Sequence, residues 1–285
     1  MMGGRGTASG LTGSVLATPA PAAQPQPAPQ PQQAQTTGRT ATDMGIAKMD
    51  DATLYAAIHR GIGMGIKRDG RQDTLAQHIA DALGFTANKP DSVSQEALAQ
   101  YRGKHNEDGT IYRTVAPIPG KTARQIAHDL TSSDDFGLNF GGGRAYGTGL
   151  YFAGNGRNAV GNAAARDSHW YGRGHTDAYM MEARIKSTAR IAKSDFLNTS
   201  ETQAWAKTHT RSLTRLGFKV MPSGVIRPGT FGGSNADMKT TIAMLMGYDG
   251  YSNGDARTPY YTIWNRGALQ VARGNKYARA GSGQL

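Results

Sequence analysis

Apolar residues recur at helical spacing in the first third of the chain. A helix is predicted over residues 50–62, where the two opening aspartates suit its N-terminus. Its apolar positions, which would share one face, are Leu54, Ala57, Ile58 and Ile62. A second helix is predicted over residues 73–83 with Gly84 as its stop, and Ser92 with Gln95 predicts a capping box for a short third helix.

Farther along, the period changes to that of strands mixed with helices. Residues 179–186 alternate between apolar and mostly polar side chains, which predicts a strand with one buried and one wet face. Other strands are predicted over residues 111–115, 150–153, 260–265 and 268–272, and helices over 122–130, 199–216 and 235–246. Few helices between short strands indicate an α+β fold without repeating βαβ units.

Composition divides the chain into four predicted segments. Residues 1–42 hold a Pro/Gln/Ala-rich tract and no acidic residue before residue 43, which is typical of a disordered arm. A helical lead-in follows over residues 43–108, then an α+β domain over residues 109–272 and a basic, glycine-containing tail over residues 273–285. The apolar run near residue 11 is too short and polar for a secretory signal, so we expect a bacterial cytoplasm or a virion.

Composition also excludes several kinds of chemistry. The chain has no cysteine, so disulfides, thiolate metal sites and thiol nucleophiles are excluded. No apolar run approaches the roughly 20 residues that a bilayer span needs, and no membrane contact is expected. The net charge of +11 is compatible with contact to packaged nucleic acid or capsid partners through basic regions.

Two local patterns resemble ligand sites but lack a required part, and the histidines form no such pattern. Gly120, Lys121 and Thr122 match the end of a phosphate-binding loop, but Val115 stands where its first glycine belongs. Residues 154–159 imitate a dinucleotide fingerprint with Asp177 at the ribose position, yet no βαβ repeat follows. The seven histidines are scattered without ligand spacing, and no metal is expected.

The most informative segment combines glycines with an aromatic strand. Residues 147–153 read GTGLYFA, residues 111–115 read IYRTV, and residues 260–269 read YYTIWNRGAL after a GYDG turn at 247–250. In this order the three motifs resemble the ADP-ribosyltransferase family, including its poly(ADP-ribose) polymerase branch and phage- or prophage-encoded members. The resemblance implies an α+β domain with a two-sheet core.

The resemblance also assigns roles to particular residues. It implies that Tyr151 stacks on the nicotinamide ring of NAD and that Arg113 binds its phosphate or ribose. The further cofactor-binding positions that it implies are Thr114, Gly147, Thr148 and Gly149. Nicotinamide leaves NAD as a neutral molecule, so no general acid is needed. The enzyme has to bind NAD and to stabilise an oxocarbenium-like ribose with a carboxylate.

One expected group is missing from the closing motif. The family places a glutamate at the start of this strand, where the chain has Tyr260. Asp249 is the first candidate to replace it, and Asp255 and Glu182 are further candidates. We therefore expect NAD as substrate and mono-ADP-ribosyl transfer to a host macromolecule. The alternatives are a virion structural or cargo protein without catalysis and an NAD glycohydrolase that uses water.

Overall fold

Ten strands and seven helices make up the described part of the chain, residues 38–63, 75–100, 110–115, 117, 119–132, 149–154, 179–231, 234–253 and 260–272 of a computed structural model. The helices are α1 (Asp51–Gly63), α2 (Leu75–Ala82), α3 (Gln95–Gln100), α4 (Ala123–Ser132), α5 (Ser200–Thr208), α6 (Thr210–Arg215) and α7 (Asn235–Leu245). The strands are β1 (Asp91–Val93), β2 (Thr110–Val115), β3 (Leu150–Ala153), β4 (Tyr179–Ile185), β5 (Ile191–Ala192), β6 (Phe218–Val220), β7 (Ile226–Pro228), β8 (Gly250–Asn253), β9 (Tyr260–Ile263) and β10 (Leu269–Ala272). Short 3-10 turns lie at Ile46–Lys48, Phe196–Asn198 and Arg266–Ala268.

Eight of these strands form one mixed sheet in the order β1-β10-β4-β2-β3-β9-β8-β5, and β6 and β7 form a separate antiparallel pair. The outermost pairs, β1 with β10 and β5 with β8, are parallel, and all pairs between them are antiparallel. The chain is therefore α+β, as the strand spacing predicts. Where the family resemblance implies two sheets, the motif strands all lie in the eight-stranded sheet.

The side chains of the sheet separate into two faces by strand alternation. The apolar face carries the buried hydrophobic side chains of one core cluster, and helix α4 packs on it through Ala127 and Leu130. Its members from the five central strands are Ile111, Val115, Leu150, Phe152, Met181, Ala183, Ile185, Tyr261, Ile263, Leu269 and Val271. Strand β4 confirms the predicted strand, but Arg184 on the side predicted to be wet is buried.

Among the described residues, helices cover the opposite face only toward its two ends. At one end α1, α2, α5, α6 and α7 build a second core against Tyr251 and Ala192 of β8 and β5. At the other end Leu98 of α3 packs on Val93 of β1. The middle of this face, which we call the polar face, carries Tyr112, Glu182, Arg184, Tyr151, Tyr260 and Asn253.

Local capping explains where several helices begin. The Asp50 side chain accepts a 2.8 Å hydrogen bond from the Thr53 amide at the start of α1, as predicted. Helix α4 begins after a reciprocal pair in which the Thr122 amide donates to Gln125 and the Gln125 amide donates to Thr122. Ser234 forms the same kind of capping box for α7. These observed bounds agree with the predicted helices to within two residues.

Two predicted helices differ from the observed ones. Ser92 lies within strand β1, and the cap of α3 is Ser94, whose Oγ accepts from the Ala97 amide at 3.1 Å. The capping pattern was ambiguous because two serines occur two residues apart. The predicted helix over residues 199–216 is divided at His209 into α5 and α6, where the His209 ring contacts the Met49 carbonyl at 3.1 Å.

The predicted lead-in shares its cores with the rest of the chain. Helices α1 and α2 belong to the same apolar cluster as α7, and strand β1 pairs with β10 at the end of the chain's sheet. Residues 38–42, assigned by composition to the arm, are packed as well, with Thr40 and Ala41 fully buried. The remainder of the arm and the tail over residues 273–285 lie outside the described residues.

Among the described helices, none combines the length and the apolar character that crossing a bilayer requires.

Candidate functional site

The three sequence motifs, far apart along the chain, occupy neighbouring strands. Strand β3 of the GTGLYFA motif lies between β2 of the IYRTV motif and β9 of the closing motif. Tyr112 is directly opposite Ala153, which is opposite Tyr260, and Tyr151 is opposite Thr262. Residues directly opposite each other in an antiparallel pair point to the same side. Tyr112, Tyr151 and Tyr260 therefore all lie on the polar face.

The polar face carries a carboxylate close to these rings. Glu182 of β4 is directly opposite Tyr112. Glu182, Tyr112, Tyr151 and Tyr260 are each partly exposed to solvent. A partly buried surface of aromatic rings with one acid is suited to a flat, polar and cationic ligand.

Arg113 lies on the other side of the sheet from Tyr151. It is opposite Met181, a member of the apolar face, and its side chain is only 8% exposed. Its Nη1 atom donates a 3.1 Å hydrogen bond to the backbone carbonyl of Tyr151. The structure thus places the guanidinium next to the Tyr151 backbone and the Tyr151 ring on the opposite face.

Strand packing requires a glycine at position 149. Its φ is +154°, and an added Cβ would lie 2.7 Å from the Thr262 Cγ2 atom and 3.0 Å from the Ile263 carbonyl oxygen. A glycine is therefore required for the close approach of β3 to β9. Thr114 occupies the β2 position opposite Met180. Gly147 and Thr148 lie outside the described residues.

Asp249 is fully buried and holds backbone segments together. Its Oδ1 accepts from the Ala41 amide at 2.7 Å and from Asn265 Nδ2 at 2.6 Å, and its Oδ2 accepts from the Arg190 amide at 2.8 Å. Burial raises the pKa of this carboxyl to about 6, although the three hydrogen bonds act to lower it. A carboxylate without exposed surface cannot contact a ribose, so the expectation that Asp249 replaces the missing glutamate is corrected to a structural role.

The NRG sequence of the closing motif is also structural. Asn265 donates to the Arg39 carbonyl at 2.9 Å as well as to Asp249. Arg266 is 1% exposed and donates to the carbonyls of Leu130 and Thr86 at 3.1 and 2.7 Å. These residues connect the end of β9 to segments that precede it in sequence by more than a hundred residues. The motif therefore identifies a structural junction beside the polar face.

The structure describes one of the two other acids predicted to replace the missing glutamate. Glu182 lies on the polar face, whereas Asp255 is outside the described residues. Within the described ranges no group of three or more His, Asp or Glu side chains could hold a metal ion.

A cavity of about 260 Å³ lies beside the helical layer, and its lining includes Arg190, whose amide donates to Asp249. Arg190 on its wall donates to the Met246 carbonyl at 2.8 Å, pairs with Glu201 at 3.2 Å and lies 4.4 Å from the centre of the Tyr248 ring. These contacts already occupy its guanidinium with groups of the fold. The polar face is the stronger candidate because aromatic and charged groups from the sequence motifs meet there.

Sequence reasoning does not single out Tyr112 or Arg184 of the polar face. Their signal is the alternation itself, since each occupies an outward position between buried residues of its strand. Only the pairing of β2 with β4 brings Tyr112 next to Glu182.

No protein-family model, curated protein or solved structure matches the chain. The chemistry of the polar face therefore has to be inferred from the chain's own residues.

Proposed function

We propose that the protein is an NAD-dependent mono-ADP-ribosyltransferase that binds NAD on the polar face. The observation that carries the proposal is the placement of Tyr112, Tyr151 and Tyr260 on one side of three adjacent strands. These tyrosines come from the three motifs that resemble the family. Packing of a sheet core alone does not require partly exposed aromatic rings at all three places.

Tyr151 provides the surface for the nicotinamide ring. Its ring belongs to a central strand, fixed on one side by β2 and on the other by β9. A flat cationic ring gains from stacking and from the negative face of a tyrosine. Because the strand is already ordered, little conformational entropy is lost when the ligand binds.

Glu182 supplies the negative charge in this proposal. It lies on β4, two strands from β3, and a strand spacing of about 4.8 Å makes the lateral distance roughly 10 Å. A nucleoside-sized ligand fills such a gap, with its ribose between the ring of Tyr151 and the acid. A carboxylate at that position stabilises the positive charge that develops on the ribose as nicotinamide leaves.

A labelled-NAD experiment tests the proposal. The full chain is incubated with NAD labelled in its adenylate half and with bacterial lysate, and both free nicotinamide and labelled macromolecules are measured. We expect label on macromolecules with an equal amount of nicotinamide. Excess nicotinamide without label would identify an NAD glycohydrolase. Absence of both would contradict catalysis and favour a virion structural or cargo protein.

Matched variants connect the activity to the polar face. Tyr151→Ala should weaken NAD binding about five-fold or more, since ring stacking contributes about 1 kcal/mol or more, and Tyr151→Phe should retain it. Tyr55→Ala is the control, because Tyr55 lies on helix α1 and not on the polar face. Its ring centre is 4.1 Å from the Arg211 guanidinium. Glu182→Gln should lower turnover by about 10²-fold, the scale of one electrostatic stabiliser. Glu201→Gln, with its 65% exposed side chain, is the control for that change.

A further inference from the structure

Arg184 is a buried cation on the polar face that the fold does not neutralise. It lies on β4 between Thr110 of β2 and Gln270 of β10, and only 8% of it is exposed. Its Nε and Nη1 atoms are buried without a hydrogen-bond partner. In the described part of the chain, no carboxylate lies within ion-pair distance of it.

The other two buried arginines of the described residues, Arg113 and Arg266, also have an unpartnered Nε, but their Nη atoms donate to backbone carbonyls. Arg266 donates to two of them, and Arg113 donates to the Tyr151 carbonyl. The guanidinium group remains charged in proteins, so burying Arg184 without such partners is unfavourable. A retained, uncompensated charge of this kind is expected where a ligand supplies the counter-charge.

The nearest acid beyond Gln270 is already paired. Asp91 of β1 is opposite Gln270 and lies 2.8 Å from the Lys186 ammonium, and its other oxygen accepts from the Gly38 amide. Asp91 therefore balances Lys186 and leaves the charge of Arg184 without an ion-pair partner among the described residues. An oxyanion complements it better than a neutral or cationic group.

The order of groups along the polar face matches the order of groups in a dinucleotide. Positions along β2 give the order of these groups. Arg184 is directly opposite Thr110, and Glu182 is directly opposite Tyr112. The pairing of Tyr112 with Ala153 sets Tyr151 opposite Thr114. The sequence is thus a ring surface, then an acid, then a cation, with successive steps of roughly 7 Å along the strands. NAD presents a nicotinamide ring, then a ribose, then a diphosphate.

We propose that Arg184 binds the diphosphate of the ligand on the polar face; the identification of that ligand as NAD rests on the proposed function. The Nη2 atom, which is not among the fully buried nitrogens of Arg184, is the donor that a phosphate reaches first, and the guanidinium charge beside it attracts the oxyanion. Arg184 is a binding and positioning residue in this arrangement, and the reacting ribose lies nearer to Glu182.

Calorimetry on the full chain tests the inference with two probes. ADP-ribose contains the diphosphate, and nicotinamide riboside lacks it. We expect Arg184→Gln to weaken ADP-ribose binding by about ten-fold or more and to leave nicotinamide riboside within about two-fold. Arg184→Lys should recover only part of the affinity. Arg124→Gln, a change at an exposed arginine of α4, is the control and should alter neither affinity.

Thermal melting without ligand gives a second readout that does not depend on activity. Because Arg184 has no partner in the described fold, Arg184→Gln should melt at the wild-type temperature or above it. Unchanged ADP-ribose affinity in the folded variant, or a large fall in its melting temperature, would overturn the inference. A wild-type chain that fails to bind ADP-ribose would overturn it as well.

The outcomes separate this inference from the proposed function. If the wild-type chain binds ADP-ribose through Arg184 but neither transfers label nor releases nicotinamide, the diphosphate site is supported and the enzymatic activity is rejected. If Arg184→Gln changes neither NAD turnover nor ADP-ribose binding, the enzymatic activity is supported and the diphosphate site at Arg184 is rejected.

Discussion

The Asn265 side chain donates a 2.6 Å hydrogen bond to Asp249, and both residues are fully buried. Asp249 also accepts from the Ala41 amide, and Asn265 Oδ1 accepts from Asn88 Nδ2 at 2.9 Å. The pair thereby joins three segments: the first described residues at Ala41, the loop after α2 at Asn88, and the residues between β9 and β10. Its position explains why residues that resemble a functional motif serve the fold.

The stability of the protein should depend on pH through Asp249. Its pKa is about 6 in the folded chain, against an ordinary value of 3.8, because of burial. Between pH 4 and 6, roughly, the folded chain holds a proton that the unfolded chain has released, so the contribution of Asp249 to the free energy of unfolding falls as pH rises. The total change is on the order of 2–3 kcal/mol at about 1.4 kcal/mol per pKa unit.

Urea unfolding of the wild type and of Asp249→Asn, at several pH values across this window, measures that contribution. The stability advantage of the wild type over the variant should shrink from pH 4 to 6 and stay constant above it. An advantage that grows with pH would show that the hydrogen bonds to Asp249 outweigh its desolvation.

Ala41→Pro should destabilise the fold by about 1–3 kcal/mol, because it removes the amide that donates to Asp249 at 2.7 Å and leaves a buried acceptor with one bond fewer. Ala41→Gly keeps the amide and loses only a buried methyl group, so it should cost about 1 kcal/mol. Chemical denaturation measures both. Equal midpoints for the two variants would contradict a structural role for this amide.

Two glycines should respond to alanine in opposite directions. A Cβ at Gly267 would lie 2.5 Å from the Arg39 carbonyl oxygen and from Asn88 Nδ2, so Gly267→Ala should destabilise by about 1–3 kcal/mol. A Cβ at Gly63, the last residue of α1, would meet nothing within 4 Å, and Gly63→Ala should stabilise by about 0.5 kcal/mol. Thermal melting distinguishes the signs, and a tolerated Gly267→Ala would refute the close approach.

Arg113 and Tyr151 should separate stability from ligand binding. Arg113→Met removes the donor to the Tyr151 carbonyl and should lower the free energy of unfolding by about 1–3 kcal/mol. Tyr151→Ala, on the polar face, should affect NAD affinity more than Arg113→Met does, since the guanidinium lies on the other side of the sheet. Calorimetry with each folded variant checks the order. A larger affinity loss for Arg113→Met would return the phosphate-binding role to Arg113.

Local patterns in the sequence determined much of the secondary structure. The strand β4 and the cap of α1 at Asp50 depend on neighbours within a few residues, and both are confirmed. The same holds for the stops of α2 and α7, followed by Gly84 and Gly247 at positive φ of 79° and 73°. Such features are predictable because side-chain periodicity and turn conformation are local properties of the chain.

Tertiary structure alone decided which side chains meet. The sequence places Arg113 and Tyr151 in strands, but only the opposition of Tyr112 and Ala153 assigns them to different faces. A shift of that register by one residue would reverse the assignment, because side chains alternate with a period of two. The burial of Asp249 and the lack of a partner for Arg184 within the described residues likewise depend on segments distant in sequence. Register and burial result from packing between such segments, which no local pattern encodes.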